Sequence, residues 1–364
     1  MIYLDYQATT PLAPEAREAM LRWLGGPEDG NFGNPHSAHR MGRMAAAAIE
    51  AAREEIAALL PAGGQVIFTS GATEALNLAL RGCRGDALTF ATEHAAVLDC
   101  AGAVEAEGRG FEVLPVLSDG RADLAALEAA LTLQTGVVAA MAVNNEIGVI
   151  HPLEAIAAAA HQAGALVLVD AVQAYGRIAL PDNADMIAIS AHKIHGPKGI
   201  GALWVRAGVE LAPLLLGGGQ EGGLRSGTLS PALCAGFGAA ARVARERMAE
   251  DAAHVSALAT RARELFAGWQ VNGNLEHRWP GNLNICKDGL DVSRLMSDCR
   301  QVMFSAGSAC ASGSGRPSHV LRALGLSNAE AKSSIRLGFG RYTTMGELET
   351  AAAAINQAAE EQMP

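Results

Sequence analysis

The sequence predicts an α/β fold with a mainly parallel central sheet. Two observations support this prediction: short apolar segments alternate with helical segments through the first two thirds of the chain, and the pattern changes to a long helix near residue 232. Apolar segments without polar alternation suit strands that are covered by helices on both faces. Alternation of such strands with helices is typical of a parallel sheet.

Five apolar segments are predicted as strands, at 65–70, 86–92, 136–143, 165–170 and 185–190. Helical segments follow the first three strands, at 71–82, 94–108 and 152–164. Pro152 and Gly164 bracket the last helical segment, since proline is favoured in the first turn of a helix and glycine just beyond its end.

A long helix rich in Ala and Arg is predicted over 232–268, and the domain junction is placed within it. Because 364 residues are many for a single core, we expect one large domain with a smaller companion. The prediction is a large domain over 15–245 and a smaller domain over 1–14 and 246–364.

The composition is ordinary for a folded protein, with 50% hydrophobic and 18% charged residues. A net charge of −10 argues against nucleic acid as a partner, because attraction to phosphates needs a basic surface. The sequence shows neither a secretory signal pattern nor an apolar run of about 18 residues, so we expect a cytoplasmic protein with no membrane partner. Six cysteines without paired spacing are expected to be reduced thiols.

The segment 305–315 lacks the residues that form a core. Ten of its eleven residues are Gly, Ala or Ser, and the other is Cys310. Ordering glycine is entropically costly, and no large apolar side chain in this segment compensates for that cost. We therefore expect a mobile segment over about 305–318, within the smaller domain, that carries an accessible thiol.

Polar residues follow three of the predicted strands at their carboxyl ends, where ligands bind in open α/β sheets. Residues 70–73, Ser-Gly-Ala-Thr, turn into a helix whose N-terminus attracts anions, although an ordinary helix start explains this turn equally well when it is taken alone. Asp170 ends a strand too apolar for an unpaired carboxylate. Its cationic partner is either an arginine or the protonated ring nitrogen of pyridoxal phosphate (PLP).

Lys193 lies three residues beyond the end of a strand, in a turn rich in Gly and Pro. A single lysine in a loop is usually solvated. Beside an anion site and an acidic strand end, however, a lysine becomes a candidate for Schiff-base chemistry. The three strand ends together therefore predict a PLP enzyme with the fold of aspartate aminotransferase.

Two other kinds of site are not supported by the sequence. The glycine-rich segment 216–227 contains neither GxxxxGK nor GxGxxG, so no nucleotide-binding loop is predicted. The pairs His36/His39 and His192/His195 have no nearby Cys or His that would complete a zinc site, so no metal is expected.

Ten segments resemble, in order and spacing, the cysteine desulfurases of the NifS/IscS type, which are PLP enzymes of fold type I in the class V aminotransferase superfamily. They are YLDYQATTP (3–11), FGNPHSAHRMG (32–42), FTSGATEALNLA (68–79), TEHAAVL (92–98), VNNEIGVI (143–150), VDAVQAYG (169–176), SAHKIHGPKGIGALWVR (190–206), GGGQEGGLRSGT (217–228), SAGSACASGSGRPSHVLRALGL (305–326) and SSIRLGFGRYTT (333–344). The resemblance implies a large domain with a mainly parallel seven-stranded sheet and a smaller α/β C-terminal domain. The segment around Cys310 is similar to that of the long-loop branch, group I, of the family.

The resemblance also implies roles for individual residues. Lys193 would hold PLP and move protons, Asp170 would pair with the ring nitrogen, and His94 would stack on the ring. Further cofactor contacts that it implies are Ala72, Thr73, Asn145, Gln173, Ser190 and His192. Cys310 would be the nucleophile that takes sulfur from L-cysteine as a persulfide, with release of L-alanine, and passes it to an acceptor such as an iron–sulfur scaffold or a thiolating enzyme.

Asn34 and Arg336 match the positions that bind the substrate carboxylate, a task that suits the planar fork of arginine. Thr228 matches a residue that reaches the phosphate of the neighbouring subunit, which implies a homodimer. The alternatives are a selenocysteine lyase or a relative that prefers cysteine sulfinate, which strict dependence on Cys310 would separate, and an aminotransferase, which needs no cysteine segment. A catalytically silent scaffold is disfavoured because Lys193 and Asp170 are both present.

Overall fold

The computed structural model describes residues 1–307 and 317–363 of the chain. Cys310 and most of the segment predicted around it lie outside the described residues. Within the described ranges, no helix combines the length and the apolar character that crossing a membrane requires.

The strands of the described residues form three sheets. They are β1 (Ile2–Tyr3), β2 (Gly64–Thr69), β3 (Asp86–Phe90), β4 (Phe111–Leu114), β5 (Thr135–Met141), β6 (Leu166–Asp170), β7 (Met186–Ser190), β8 (Gly201–Arg206), β9 (Gln270–Val271), β10 (Asn282–Cys286), β11 (Val302–Met303), β12 (Ser305–Ala306) and β13 (Ser334–Gly338). The sheets have the orders β2-β8-β7-β6-β5-β3-β4, β12-β13-β10-β9 and β1-β11.

The α-helices of the described residues are α1 (Pro14–Leu21), α2 (Arg40–Ala57), α3 (Ala72–Gly82), α4 (Ala95–Leu98), α5 (Ala101–Ala106), α6 (Leu124–Ala130), α7 (Leu153–Gln162), α8 (Pro231–Leu265), α9 (Val292–Asp298), α10 (His319–Ala323), α11 (Asn328–Lys332) and α12 (Met345–Glu360). Short 3₁₀ turns occupy Ala191–Lys193 and Glu221–Gly223.

The seven-stranded sheet is mainly parallel, as the sequence predicted. Every pair from β7 to β4 is parallel, whereas β8 runs antiparallel to both of its neighbours. Alternate residues of one strand point to opposite faces, and the two faces pack into different cores. Val167 and Val169 of β6 join one apolar cluster, while Leu168 packs with α3 in another. Burial on both faces explains why these strands lack polar alternation.

Among the strands of the seven-stranded sheet and the helices predicted between them, the structure differs from the sequence prediction in three places. The predicted helix over 94–108 is two shorter helices, α4 and α5, separated at residues 99–100. Strand β4 was not predicted, because it lies at the sheet edge, where Glu112 and Val113 are exposed and dilute the apolar pattern. Strand β8 was not predicted either, since it directly follows a glycine-rich turn.

Helix α8 is continuous over 35 residues and begins at Pro231, with Ser230 capping its N-terminus. The boundary placed at 245/246 falls inside this helix, which buries apolar residues both before and after that point. The division into a large and a small domain therefore stays a prediction.

Candidate active site

The carboxyl ends of β5, β6 and β7 and the start of α3 surround a cavity of about 610 Å³. This volume is within the range of about 300–1,000 Å³ that is usual for small-molecule sites. The predicted site residues that line the cavity are Ala72, Thr73, His94, Asn145, Asp170, Gln173, Ser190, His192, Lys193 and Arg336. Residues far apart in the sequence are thus brought to one place.

Two predicted site residues lie away from this cavity. Asn34 is in the exposed loop before α2, where its Oδ1 accepts the backbone N–H of His36 at 2.9 Å. Thr228 is exposed in the segment before α8. Neither residue lines the cavity of its own chain.

Lys193 lies on the 3₁₀ turn that follows β7. Its Nζ donates to the backbone carbonyls of Gln7 and Ala8, the latter at 2.9 Å. Burial, together with the positive charges of Arg336 and Arg177, lowers the pKa of Lys193 from 10.5 to about 8. A neutral amine, which is the nucleophilic form, is therefore accessible near physiological pH.

Asp170 is the last residue of β6 and is 6% exposed. Its Oδ1 accepts the backbone N–H of Val172 at 2.9 Å. Burial raises the pKa of Asp170, against the effect of that hydrogen bond and of the nearby His94 and Lys193. Among the described residues, no arginine lies within ion-pair distance of its carboxylate. Of the two partners that the sequence left open, the structure therefore favours a cation brought by a ligand.

Helix α3 directs its N-terminus at the same cavity. Its N-cap is Gly71, which provides no side-chain hydrogen bond, and a Cβ at this position would meet nothing within 4 Å. The acidic residue of the first turn, Glu74, is paired with Arg225 at 2.7 Å, so its charge is compensated. The free N–H groups of this turn therefore remain available for an anion.

Two histidines of the cavity are neutral at physiological pH. Burial lowers the pKa of His94, whose Nδ1 accepts the backbone N–H of Ala96 at 3.1 Å, so its proton lies on Nε2. Burial, with the charges of Lys193 and Lys198, lowers the pKa of His192 to about 4. A neutral imidazole is suited to stacking and to donating one hydrogen bond.

Arg336 reaches the cavity from the middle of β13 and is 1% exposed. It donates to the carboxylate of Asp5 at 2.7 Å, to the carbonyl of Asn145 at 3.0 Å and to the hydroxyl of Ser305 at 3.2 Å. Its Nε is buried and has no acceptor among the described residues. A buried, unsatisfied guanidinium N–H is costly, which indicates that a ligand completes it.

Two features of the site were missed by sequence analysis. The carbonyls of Gln7 and Ala8, which hold the amine of Lys193, are backbone groups and carry no side-chain signal. Glu93 is fully buried behind the cavity, with Oε1 accepting the backbone N–H of Met141 at 2.7 Å. Burial, and then the charge of Asp170, raises the pKa of Glu93 well above its usual range. Its position between an apolar strand and His94 was the one available signal.

The set of groups in the cavity fits PLP. The amine with a lowered pKa suits the aldehyde of PLP, and the buried carboxylate suits its ring nitrogen. The open helix N-terminus suits the phosphate, and the neutral imidazole suits the ring face. In the ranges that the structure describes, no group of three or more His, Cys, Asp or Glu side chains is arranged to hold a metal ion.

Comparisons with known proteins agree with this geometry. Residues 2–350 match the family model described as aminotransferase class-V. A protein named cysteine desulfurase IscS, from Anaeromyxobacter sp., is 46% identical over 96% of this chain and 90% of its own length. A solved NifS-like protein has 32% identity and a TM-score of 0.90, with 99% of each chain covered. The structure of SspA in complex with cysteine has 34% identity and a TM-score of 0.82, covering 94% of this chain and 100% of its own.

The fold and the site define a class of enzyme, and the chain belongs to the aminotransferase class-V family. Within that family it is an enzyme of the cysteine desulfurase type, which confirms the function predicted from the sequence.

Proposed function

We propose that this enzyme converts L-cysteine to L-alanine and moves the sulfur onto Cys310 as a persulfide, with PLP held on Lys193. The observation that carries the proposal is that Lys193, Asp170 and the N-terminus of α3 share one cavity. No other arrangement among the described residues combines an amine of lowered pKa with a buried carboxylate and an anion site.

Each cavity residue would have a definite task. When bound, PLP withdraws electrons from the substrate and thereby makes the sulfur of L-cysteine open to attack by a thiolate. The carboxylate of Asp170 would keep the ring nitrogen protonated, and His94 would cover the ring face. Residues at the start of α3 and after β7 would hold the phosphate, namely Ala72, Thr73, Ser190 and His192. Gln173 and Asn145 would contact the ring substituents, and the amine of Lys193 would carry protons to and from the substrate carbon.

The carboxylate of the substrate would bind Arg336. Its unpaired Nε is the donor that the site leaves open, and its Nη1 and Nη2 are held by Asn145 and Asp5. The cysteine bound to SspA, a structural neighbour, supports L-cysteine as the ligand of this cavity. Asn34, which matches the second carboxylate-binding position, would have to approach from its exposed loop.

The short stretch of chain between Ser305 and Cys310 allows the thiol of Cys310 to reach this cavity. Ser305 contacts Arg336, and Cys310 follows Ser305 by five residues. Covalent geometry therefore limits the distance between the Cα atoms of Ser305 and Cys310 to about 17 Å. In the reaction the thiolate of Cys310 forms a bond to the sulfur of L-cysteine. The C–S bond breaks, and the substrate carbon takes a proton to become the methyl group of alanine. The persulfide is then available to an acceptor protein, such as an iron–sulfur scaffold.

We further propose a homodimer in which Thr228 completes the phosphate site of the neighbouring subunit. Two observations support this arrangement. Thr228 is exposed and lies outside the cavity of its own chain. Leu216, twelve residues before Thr228 in the chain, is 83% exposed, and an exposed leucine is suited to burial against a second copy.

The experiment that tests the function is alanine release from L-cysteine by Cys310→Ala, with Cys299→Ala as the control. Cys299 is a buried thiol that does not line the cavity. We expect Cys310→Ala to bind PLP yet release no alanine above background, whereas Cys299→Ala retains turnover. Normal turnover by Cys310→Ala would contradict the proposal and favour a lyase.

A further inference from the structure

A second layer of contacts lies behind the cavity, and its centre is Arg177. The guanidinium donates through Nη1 to the side-chain Oε1 of Gln173 at 2.7 Å and to its carbonyl at 3.2 Å. Through Nη2 it donates to the carbonyl of Lys193 at 2.6 Å. Arg177 itself does not line the 610 Å³ cavity, and it stacks on the ring of Trp279 at 4.5 Å.

Arg177 has no carboxylate partner within ion-pair distance in the part of the chain that the structure describes. Burial lowers the pKa of Arg177 to about 10, and no neighbouring acid counteracts that effect. A buried guanidinium without a counter-charge is unfavourable for stability. Its hydrogen bonds end on two residues of the cofactor site, which indicates that the cost is tolerated for function.

Arg177 fixes the orientation of Gln173. With Oε1 held by Arg177, the amide Nε2 faces the other way and donates to the carbonyl of Gln7 at 3.0 Å. An amide nitrogen carries two protons, so one N–H remains for an acceptor in the cavity. Without Arg177 only the hydrogen bond to Gln7 would hold the amide, and the amide could more readily turn and present its oxygen.

Arg177 also acts on Lys193. The carbonyl of Lys193 is held by Nη2, and the positive charge of Arg177 contributes to the lowered pKa of the amine. The other charged groups around this amine are Arg336, which also lowers its pKa, and Asp170 and Asp5, which raise it.

From this geometry we infer that Arg177 is a positioning residue of the cofactor site, which holds Gln173 as a donor to the cofactor and places a positive charge behind Lys193. The inference rests on the proposed function only in assigning PLP to the cavity. Arg177 would touch neither cofactor nor substrate.

The test uses the PLP-loaded protein and two readouts other than turnover: the dissociation constant of PLP, and the midpoint of the pH-dependent change in visible absorbance of the bound cofactor. We expect Arg177→Gln to raise the dissociation constant about 10-fold, because one oriented hydrogen bond is lost. The midpoint should rise by roughly one pH unit, because removal of a nearby positive charge favours the protonated form.

Arg278→Gln is the matched control. Burial lowers the pKa of Arg278 to about 10 as well, and Arg278 too donates to backbone carbonyls, those of Asn274 and Asn272. It does not line the cavity, so its removal should leave both readouts unchanged. Equal shifts in the two variants would show a general loss of stability and overturn the inference.

Two further variants separate the parts of the inference. Arg177→Lys keeps the charge but not the fork, so it should weaken PLP binding while the midpoint moves by only a few tenths of a unit. If Arg177→Gln does not fold, Arg177→Lys tests the inference in its place, and an unchanged PLP affinity of Arg177→Lys would contradict it. In a Gln173→Met background, Arg177→Gln should weaken PLP binding less than about 2-fold, since residues that act through each other are not additive.

Failure of this inference is distinguishable from failure of the proposed function. A wild-type protein that holds PLP on Lys193 but forms no alanine would refute the function, while both readouts would still test Arg177. Wild-type dissociation constant and midpoint in Arg177→Gln, beside normal alanine formation, would refute the inference alone.

Discussion

The seven-stranded sheet supplies its cavity residues from strand ends and the turns that follow, whereas the four-stranded sheet supplies Arg336 from the middle of β13. At a strand end, the carboxylate of Asp170 and the amine of Lys193 have hydrogen bonds only to backbone groups and no ion-pair partner among the described residues. In mid-strand, Arg336 is held by Asp5, Asn145 and Ser305 before any ligand arrives.

This difference separates two tasks. The seven-stranded sheet holds groups whose pKa values burial has shifted, which suits proton transfer and attachment of a cofactor. The four-stranded sheet holds a rigid cation that suits binding of a carboxylate. Substitutions in the first group should therefore lower kcat, and substitutions in the second should raise KM.

The largest effect is expected for Lys193→Ala. Because this amine would both hold the cofactor and carry protons, we expect alanine formation to fall by about 10³-fold or more. Lys198→Ala is the matched control, since Lys198 lines the same cavity but is exposed. Borohydride reduction followed by peptide mapping should find PLP attached to Lys193. Attachment to Lys198 would contradict the assignment.

Asp170→Asn should lower kcat by about 10²-fold, because a neutral amide cannot hold the ring nitrogen protonated. The free energy of unfolding of the cofactor-free protein should not fall, since an unpaired buried carboxylate is removed. Asp185→Asn is the control: that buried carboxylate is paired with His161 at 2.8 Å, so its loss should destabilise the fold and spare kcat. A loss of stability in Asp170→Asn together with a fall in kcat in Asp185→Asn would contradict this distinction between a carboxylate that needs a ligand and one that is paired within the protein.

Arg336→Lys should raise KM for L-cysteine about 10-fold with little change in kcat, because lysine keeps the charge but loses the fork. Arg341→Lys is the control, as Arg341 is also buried and pairs with Asp251 at 2.7 Å, outside the cavity lining. Steady-state kinetics of the two variants decide the point. A fall in kcat at constant KM would place Arg336 with the proton-transfer groups.

The smallest effect is on the stability of the cofactor-free protein. The pKa of Lys193 is about 8 in the folded state, below the ordinary 10.5, so the folded protein loses this proton at a lower pH than the unfolded chain does. Its burial cost is complete below about pH 8 and is relieved as the pH rises toward 10.5. We therefore expect Lys193→Met to be more stable than wild type by about 1 kcal/mol at pH 7, and the difference to shrink by pH 9.5. Denaturant unfolding at the two pH values measures it, and a difference that grows with pH would contradict the shift.

The site residues at the strand ends of the seven-stranded sheet were predictable from the sequence. A polar side chain directly after an apolar strand is costly to bury without a partner, so it indicates a ligand site. Asp170 and Lys193 both stand out in this way, and the structure brings both to the cavity. Arg336 was identified by resemblance alone, since one arginine in the segment SIRLG carries no local signal of what it faces.

Other features lay beyond the reach of sequence analysis because they depend on tertiary contacts. Arg177 appears in the sequence as one basic residue after a turn, and its role emerges only when Gln173 and Lys193 lie on either side of it. The edge strand β4 and the division of the predicted helix into α4 and α5 depend in the same way on their surroundings.

The most direct test of the central claim is to supply the PLP-loaded protein with L-cysteine in the absence of reductant, then to map its peptides by mass and assay alanine in the same sample. We predict one added sulfur on the peptide that contains Cys310, an equal amount of alanine, and no added sulfur on the buried thiols such as Cys234. Alanine without sulfur on Cys310 would contradict the account and favour a lyase. Bound PLP with neither product would instead point to an aminotransferase.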